Sequence, residues 1–273
     1  MTPFLLAFTG TCLRRWIFLF TLCGTLGGLA VAAEAPARRE WNVDGVTRTG
    51  LVYAPAAAKG QPTPVVFAFH GHGGTMQNAA RSFSIHTQWP EAIVVYLQGV
   101  PTPGQLTDPE GKRAGWQGRA GDHADRDLKF FDTVLRELRS ELRVDDHRIY
   151  ATGHSNGGGF TYLLWATRGD TFAALAPSAA VGRFTRNDLK PKPVLHIAGQ
   201  KDQLVKFAWQ EAMIAVLKNV NQCGAGEPWD RDCTLYASPV GAPVVTMIHA
   251  GTHAYPPAAP PLIVKFFKQH AKP

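Results

Sequence analysis

Cysteine is scarce in this chain of 273 residues: there are four, and Cys12 and Cys23 fall within the first 33 residues. That leaves Cys223 and Cys233 as the only pair in the remainder. Charged side chains are also few, at 18%, against 45% hydrophobic. Such a balance carries no bias towards disorder and supplies ample apolar material for a packed interior. Beyond the first 33 residues there is no internal repeat, no heptad pattern and no low-complexity linker. The basic excess is scattered rather than gathered into a dense stripe, which argues against nucleic-acid binding.

The N-terminal segment has its own logic. Arg14 and Arg15 precede an apolar run from Trp16 to Val31, and the small residues Ala30, Ala32 and Ala33 close it. A basic flank, an apolar stretch and an Ala-x-Ala exit are the parts of a secretory signal peptide, with cleavage expected after Ala32 or Ala33. The stretch is Gly-rich and short for a stable membrane span. The expected organisation is therefore a leader over 1–33 and one domain over 34–273, secreted or periplasmic, with no stable membrane association once the leader is removed. Removing Arg14 and Arg15 from the 28 basic side chains leaves 26 against 21 acidic, a net charge of +5. In an exported chain, Cys223 and Cys233 are most simply read as a disulfide closing a loop of about ten residues. Two unpaired thiols are the alternative, and the better one if the leader reading is wrong.

Short apolar runs alternate with amphipathic stretches along the rest of the chain. Strands are predicted at 51–54, 65–70, 92–97, 148–152, 172–177, 193–198 and 244–249. They are β-branched or aromatic and apolar on both faces, as strands buried in a parallel sheet must be. Between them, Phe131, Val134, Leu135, Leu138 and Leu142 recur at spacings of three and four, which puts them on one face of a helix. Segments 160–168, 207–220 and 261–270 behave alike. Strand and helix in alternation predict an α/β fold, a doubly wound and mostly parallel sheet, whose working residues gather at the carboxyl ends of the strands.

Ser155 sits in Gly153-His154-Ser155-Asn156-Gly157, between the strand at 148–152 and an apolar helix. A strand-to-helix turn this sharp forces the serine into a strained backbone, and flanking glycines remove the side chains that would collide there. The helix start presents the backbone N–H of Asn156 to negative charge developing beside Ser155. A second such donor is expected from Phe69-His70-Gly71-His72-Gly73-Gly74, after an earlier strand. The N–H of His72 is the first choice there, with Gly71 and Gly73 still open. The competing reading of His70 and His72 as metal ligands lacks an accompanying Asp, Glu or Cys cluster at a recognised spacing, so no metal and no cofactor is expected.

A serine hydroxyl needs a base. His253, on a loop of turn residues after the last predicted strand, is the candidate; His249 is the rival, within the apolar run. The acid that orients the imidazole is expected at Asp202, in Gly199-Gln200-Lys201-Asp202 after the strand at 193–198. Asp230 and Asp232 share that interval but read as solvated turn residues.

These motifs carry a resemblance. Val144-Asp145-x-x-Arg148-Ile149-Tyr150-Ala151-Thr152-Gly153-His154-Ser155-Asn156-Gly157-Gly158 resembles the poly(3-hydroxybutyrate) depolymerase and feruloyl/acetylxylan esterase group of α/β-hydrolases. So do Tyr96-Leu97-Gln98-Gly99, Gly199-Gln200-Lys201-Asp202 and Gly251-Thr252-His253-Ala254-Tyr255-Pro256. The resemblance implies an α/β-hydrolase fold without a large lid. It also implies a secreted serine esterase acting through an acyl-enzyme on hydroxyalkanoate oligomers or feruloyl/acetyl-type esters. Two departures bear on substrate: Tyr255 replaces a Trp beside the base, and His72 stands where depolymerases often carry Cys.

The long loop 98–127, containing Trp116, and the segment 223–242, containing Trp229, are expected to shape the pocket. Trp116, Trp229 and Tyr255 are candidates to stack on an aromatic acyl group or a sugar, with local packing as the alternative. Two other functions stay open: a prolyl-oligopeptidase-type peptidase, which shares the sheet and residue order, and a catalytically silent polysaccharide-binding protein on the same scaffold.

Overall fold

The computed structural model describes residues 35–183 and 188–273; the expected leader lies outside the described residues. The described chain begins with a hairpin, β1 (Ala37–Val43) and β2 (Val46–Tyr53), turned by Asp44 and Gly45, both at positive φ. There follow β3 (Thr63–Phe69), α1 (Met76–Phe83), α2 (Ile85–Gln88) and β4 (Ile93–Leu97). The loop 98–125 holds the two-residue pair β5 (Val100–Pro101) and β6 (Ala114–Gly115) and ends in a tight turn, Asp122–Asp125. Then come α3 (Arg126–Glu141), β7 (Val144–His154), α4 (Asn156–Arg168), β8 (Ala174–Ser178), β9 (Val194–Gly199) and α5 (Phe207–Val220). A second hairpin, β10 (Gly226–Asp230) and β11 (Cys233–Tyr236), precedes β12 (Val244–His249) and α6 (Ala259–Lys268).

Ten strands form one sheet in the order β1-β2-β4-β3-β7-β8-β9-β12-β11-β10. The inner six, β4 to β12, are mutually parallel, and an antiparallel hairpin extends each edge. The inner strands correspond to the apolar runs read from the sequence. The outermost strands β1 and β10 were not foreseen, and their composition says why. β1 is Ala-Arg-Arg-Glu-Trp-Asn-Val, mostly exposed, and β10 contains Pro228, which is tolerated only where a backbone N–H is not needed by a neighbour.

The pleat sends alternate residues to opposite faces. Val65, Phe67 and Phe69 of β3 join α3, α4 and α5 in one core; Val66 and Ala68 join α1, α2 and α6 in the other. Both faces of the inner strands are covered, which is what their unbroken apolar composition requires.

The expected disulfide is not formed: Cys223 and Cys233 are both free thiols. Cys223 precedes the second hairpin at its open end, where Gly224 N–H donates to Ala237 O, whereas Cys233 starts β11 at the turn end. Four residues of strand separate these levels, roughly 13 Å, against about 7 Å for the widest bridgeable Cα pair. The two sulfurs also belong to different faces, Cys223 packing on the α5 side and Cys233 lying in the α6 side core. Spacing in sequence suggested a bridge that the hairpin holds apart.

Candidate active site

β7 ends at His154 and α4 begins at Asn156, so the whole change of direction falls on Ser155, at φ 56° and ψ −121°. The flanking glycines are needed for close approach of main chain. A Cβ on Gly153 would lie 2.3 Å from Gly157 O, and one on Gly157 would lie 2.2 Å from Phe69 O of β3. The clash that glycine avoids at this turn is thus with main chain. Ser155 N–H donates to Ser178 O at the end of β8, which pins the turn to the neighbouring strand.

From the elbow a hydrogen-bond chain runs outward. Ser155 Oγ lies 2.8 Å from His253 Nε2, and His253 Nδ1 lies 2.8 Å from Asp202 Oδ2. With Nδ1 donating to the carboxylate, Nε2 is left to accept the serine proton. Asp202 is 2% exposed, and Leu204 and Val205 donate their backbone N–H groups to its Oδ1, each at 2.9 Å. His249, the rival base, instead accepts from Gly251 N–H in its own loop.

The loop 70–74 passes directly beside the serine: a Cβ on Gly71 would lie 3.5 Å from Ser155 Cβ. His70 is 2% exposed and holds this loop from behind. Its Nδ1 donates to Gly71 O at 2.8 Å, and its Nε2 accepts from Gly99 N–H at 2.9 Å. Burial pushes His70 below the ordinary imidazole range, consistent with a neutral ring that needs one bare nitrogen. His72 turns the other way, with Nε2 3.1 Å from Asp108 Oδ2 in the long loop. The two histidines do not converge on a common point, and among the described residues no group of three or more His, Cys, Asp or Glu is assembled for a metal.

Asn156 makes a contact that the sequence did not reveal. Its Oδ1 accepts from Trp116 N–H at 2.7 Å and its Nδ2 donates to Trp116 O at 3.0 Å, so α4 and the long loop are tied by a two-way pair. His154 is a further unforeseen neighbour. Its ring centroid lies 5.0 Å from that of His253, and its Nδ1 lies 3.2 Å from Ser178 Oγ. Burial and the adjacent His253 push it down to about 4.

The aromatic residues fall differently from expectation. Trp116 is 1% exposed, stacked on Phe160 and edge-on to Phe69, with its indole N–H donating to His70 O. Only an edge of it reaches the cleft, so it supports the loop rather than offering a stacking face. Trp229 lies on edge strand β10 against Phe266 and Lys265 and does not line the cleft. Tyr255 packs behind the site, 4.5 Å from the Phe83 ring and 5.6 Å from that of His154. Its hydroxyl is buried. The cleft itself, about 650 Å³, is lined beside Ser155 and His253 by the loops carrying Leu106, Arg113, Val181 and Leu204.

Comparison with known proteins gives three kinds of likeness. A model of the prolyl oligopeptidase family matches residues 116–191. A probable feruloyl esterase C from Aspergillus clavatus is 34% identical over 112 residues, 41% of this chain and 38% of that protein. A putative esterase NocK from Nocardia uniformis subsp. tsuyamanensis is 31% identical over 184 residues, 65% of this chain and 52% of that protein. A solved ferulic acid esterase superposes with a TM-score of 0.63 at 15% identity, covering 85% of this chain and 97% of that one.

The chain has the α/β-hydrolase fold. Among α/β-hydrolases the resemblance is to the esterase group. The match spans 38% to 52% of the length of the first curated relatives. Among the described residues, no helix is long and apolar enough to cross a membrane.

Proposed function

We propose that the protein is an exported serine ester hydrolase in which Ser155 is the nucleophile, His253 the base and Asp202 the acid that orients it. The observation that carries this reading is the unbroken hydrogen-bond chain from Ser155 Oγ through His253 to buried Asp202, opening into a cleft. As Ser155 attacks the ester carbonyl, its proton passes to His253 Nε2, and Asp202 stabilises the imidazolium. Charge on the carbonyl oxygen is met by the backbone N–H of Asn156, one of the unpaired first-turn donors of α4, and by that of His72. His253 then protonates the leaving alcohol, and water activated by the same ring releases the acid.

Feruloyl esterase relatives favour feruloyl- or acetyl-type esters as substrates, with hydroxyalkanoate oligomers the alternative that the depolymerase resemblance supplies. The match to a prolyl oligopeptidase model supports a second reading, a peptidase. Rates over methyl ferulate, aryl acetates, acetylated xylan, hydroxybutyrate oligomers and a prolyl peptide separate these. Covalent labelling by a fluorophosphonate, lost in Ser155→Ala, is expected. Retention of full esterase activity by Ser155→Ala would overturn the mechanism. Sequencing the N-terminus of protein recovered outside the cytoplasm tests removal of residues 1–33.

A further inference from the structure

Behind Asp202, away from the cleft, stands a line of polar side chains with no access to substrate. Gln210 of α5 and His196 of β9 are 0% exposed, and Tyr162 of α4 is as fully buried. Buried polar groups persist where each is satisfied by another. Their hydrogen-bond roles can be deduced in order, starting from the carboxylate.

Gln210 Nε2 lies 3.1 Å from Asp202 Oδ2 and 2.7 Å from Val205 O. Both neighbours only accept, and a primary amide nitrogen carries two hydrogens, so both are committed. Turning the amide over would bring its oxygen against a carboxylate and a carbonyl. The oxygen Oε1 therefore faces the opposite way, towards His196, with which Gln210 interacts. Gln210 Oε1 and His196 Nε2 are both buried, and neither makes a hydrogen bond of good geometry. Beside an oxygen that can only accept, the imidazole proton of His196 is favoured on Nε2, which leaves Nδ1 bare. Tyr162 Oη, 2.6 Å from Nδ1, must then be the donor. Burial pushes His196 down to about 4, which keeps this single neutral tautomer in place.

We infer that Gln210 is a positioning residue for Asp202: it aims carboxylate oxygen Oδ2 at His253 and shares its negative charge, while Val205 O fixes the amide the right way round and His196 and Tyr162 behind it favour the same orientation. The inference rests on the reading of Ser155, His253 and Asp202 as a catalytic set. Four N–H donors, from His253, Gln210, Leu204 and Val205, occupy the roughly four acceptor positions of a carboxylate.

Removing the Gln210 donor leaves more charge on the oxygen facing His253, so the imidazolium gains stability and the base titrates at higher pH. The other titratable groups facing this pair are His154 from β7 and His249 from the end of β12. Both sit below the ordinary imidazole range, chiefly through burial, and contribute no competing positive charge near neutrality.

The test is Gln210→Met, similar in length and without a donor. Expected are a fall in kcat of about tenfold, the worth of one hydrogen bond to a charged group, and a KM within about twofold. The acid limb of kcat/KM is expected to move upward by roughly half a pH unit. Nitrogen-15 NMR titration of the His253 ring, which needs no substrate, should move in the same direction. A folded Gln210→Met protein with the wild-type limb and wild-type His253 titration overturns the inference. Should that variant not fold, Tyr162→Phe is read in its place: a smaller shift of the same sign supports the relay, and an unmoved His253 titration overturns it. If the wild type neither labels with fluorophosphonate nor cleaves an ester, the proposed function fails, whereas the His253 titration still decides the role of Gln210.

Discussion

Acid should destabilise this protein well before its carboxylates protonate, and His196 sets the minimum size of the effect. Its ring is wholly buried, its Nδ1 accepts from Tyr162, and a second proton would both charge the interior and break that bond. The folded-state value is pushed down to about 4 by burial, against about 6.5 for an exposed imidazole. Above pH 6.5 neither state binds the proton and there is no penalty. As the pH falls below 6.5 the unfolded chain takes up a proton that the folded chain refuses, and stability declines until both are protonated below pH 4. At pH 5 the loss from this one group is about 2 kcal/mol, with a limiting slope near 1.4 kcal/mol per pH unit. Against a total of roughly 5–15 kcal/mol, that corresponds to a fall in Tm of about 4–8 °C for a domain of this size. His70 and His154 act with the same sign, so the observed loss should exceed this figure. Urea melts at pH 8, 7, 6 and 5 measure it directly, and the His196 ring resonance should stay neutral down to pH 5. Stability that is flat between pH 8 and 5, or a His196 signal titrating near 6.5, would refute the reasoning.

Three further outcomes follow from side-chain placement. Trp116→Ala should cost about 3–5 kcal/mol as a cavity in the core, whereas Trp229→Ala, distant from the cleft, should leave kcat/KM within about twofold; equal effects on kcat/KM would show that the edge strand reaches the substrate. Asp127 accepts from Arg48 at 2.7 Å, with the two side chains 0% and 2% exposed, and from Gln117 N–H. Asp127→Ala strands the arginine and should cost about 3–5 kcal/mol in a urea melt, loosening the long loop; a cost below 1 kcal/mol would contradict the buried pairing. Reducing agent should leave Tm unchanged because Cys223 and Cys233 are free, and a drop equivalent to the 2–5 kcal/mol of a lost disulfide would show that the bridge forms after all.

The sequence by itself determined the inner sheet and the order of its loops. Strands covered on both faces must be apolar throughout, so β3, β4, β7, β9 and β12 announce themselves, and a glycine-flanked serine between strand and helix has few conformations open to it. That Asp202 and His253 stand within reach of Ser155 was legible for the same reason, as both are polar residues in turn-rich loops just past buried strands. Tertiary structure alone decided what depends on which face or level a residue occupies. Pairing along a hairpin holds Cys223 and Cys233 apart although ten residues separate them. Close packing against Phe69 and Phe160 takes Trp116 into the core although its loop looked exposed. The polar line of Tyr162, His196, Gln210 and Asp202 brings α4 against β9, α5 and the acid loop, with Tyr162 more than thirty residues from the other three. No local pattern marks such residues, because their partners exist only once the sheet has brought the elements together.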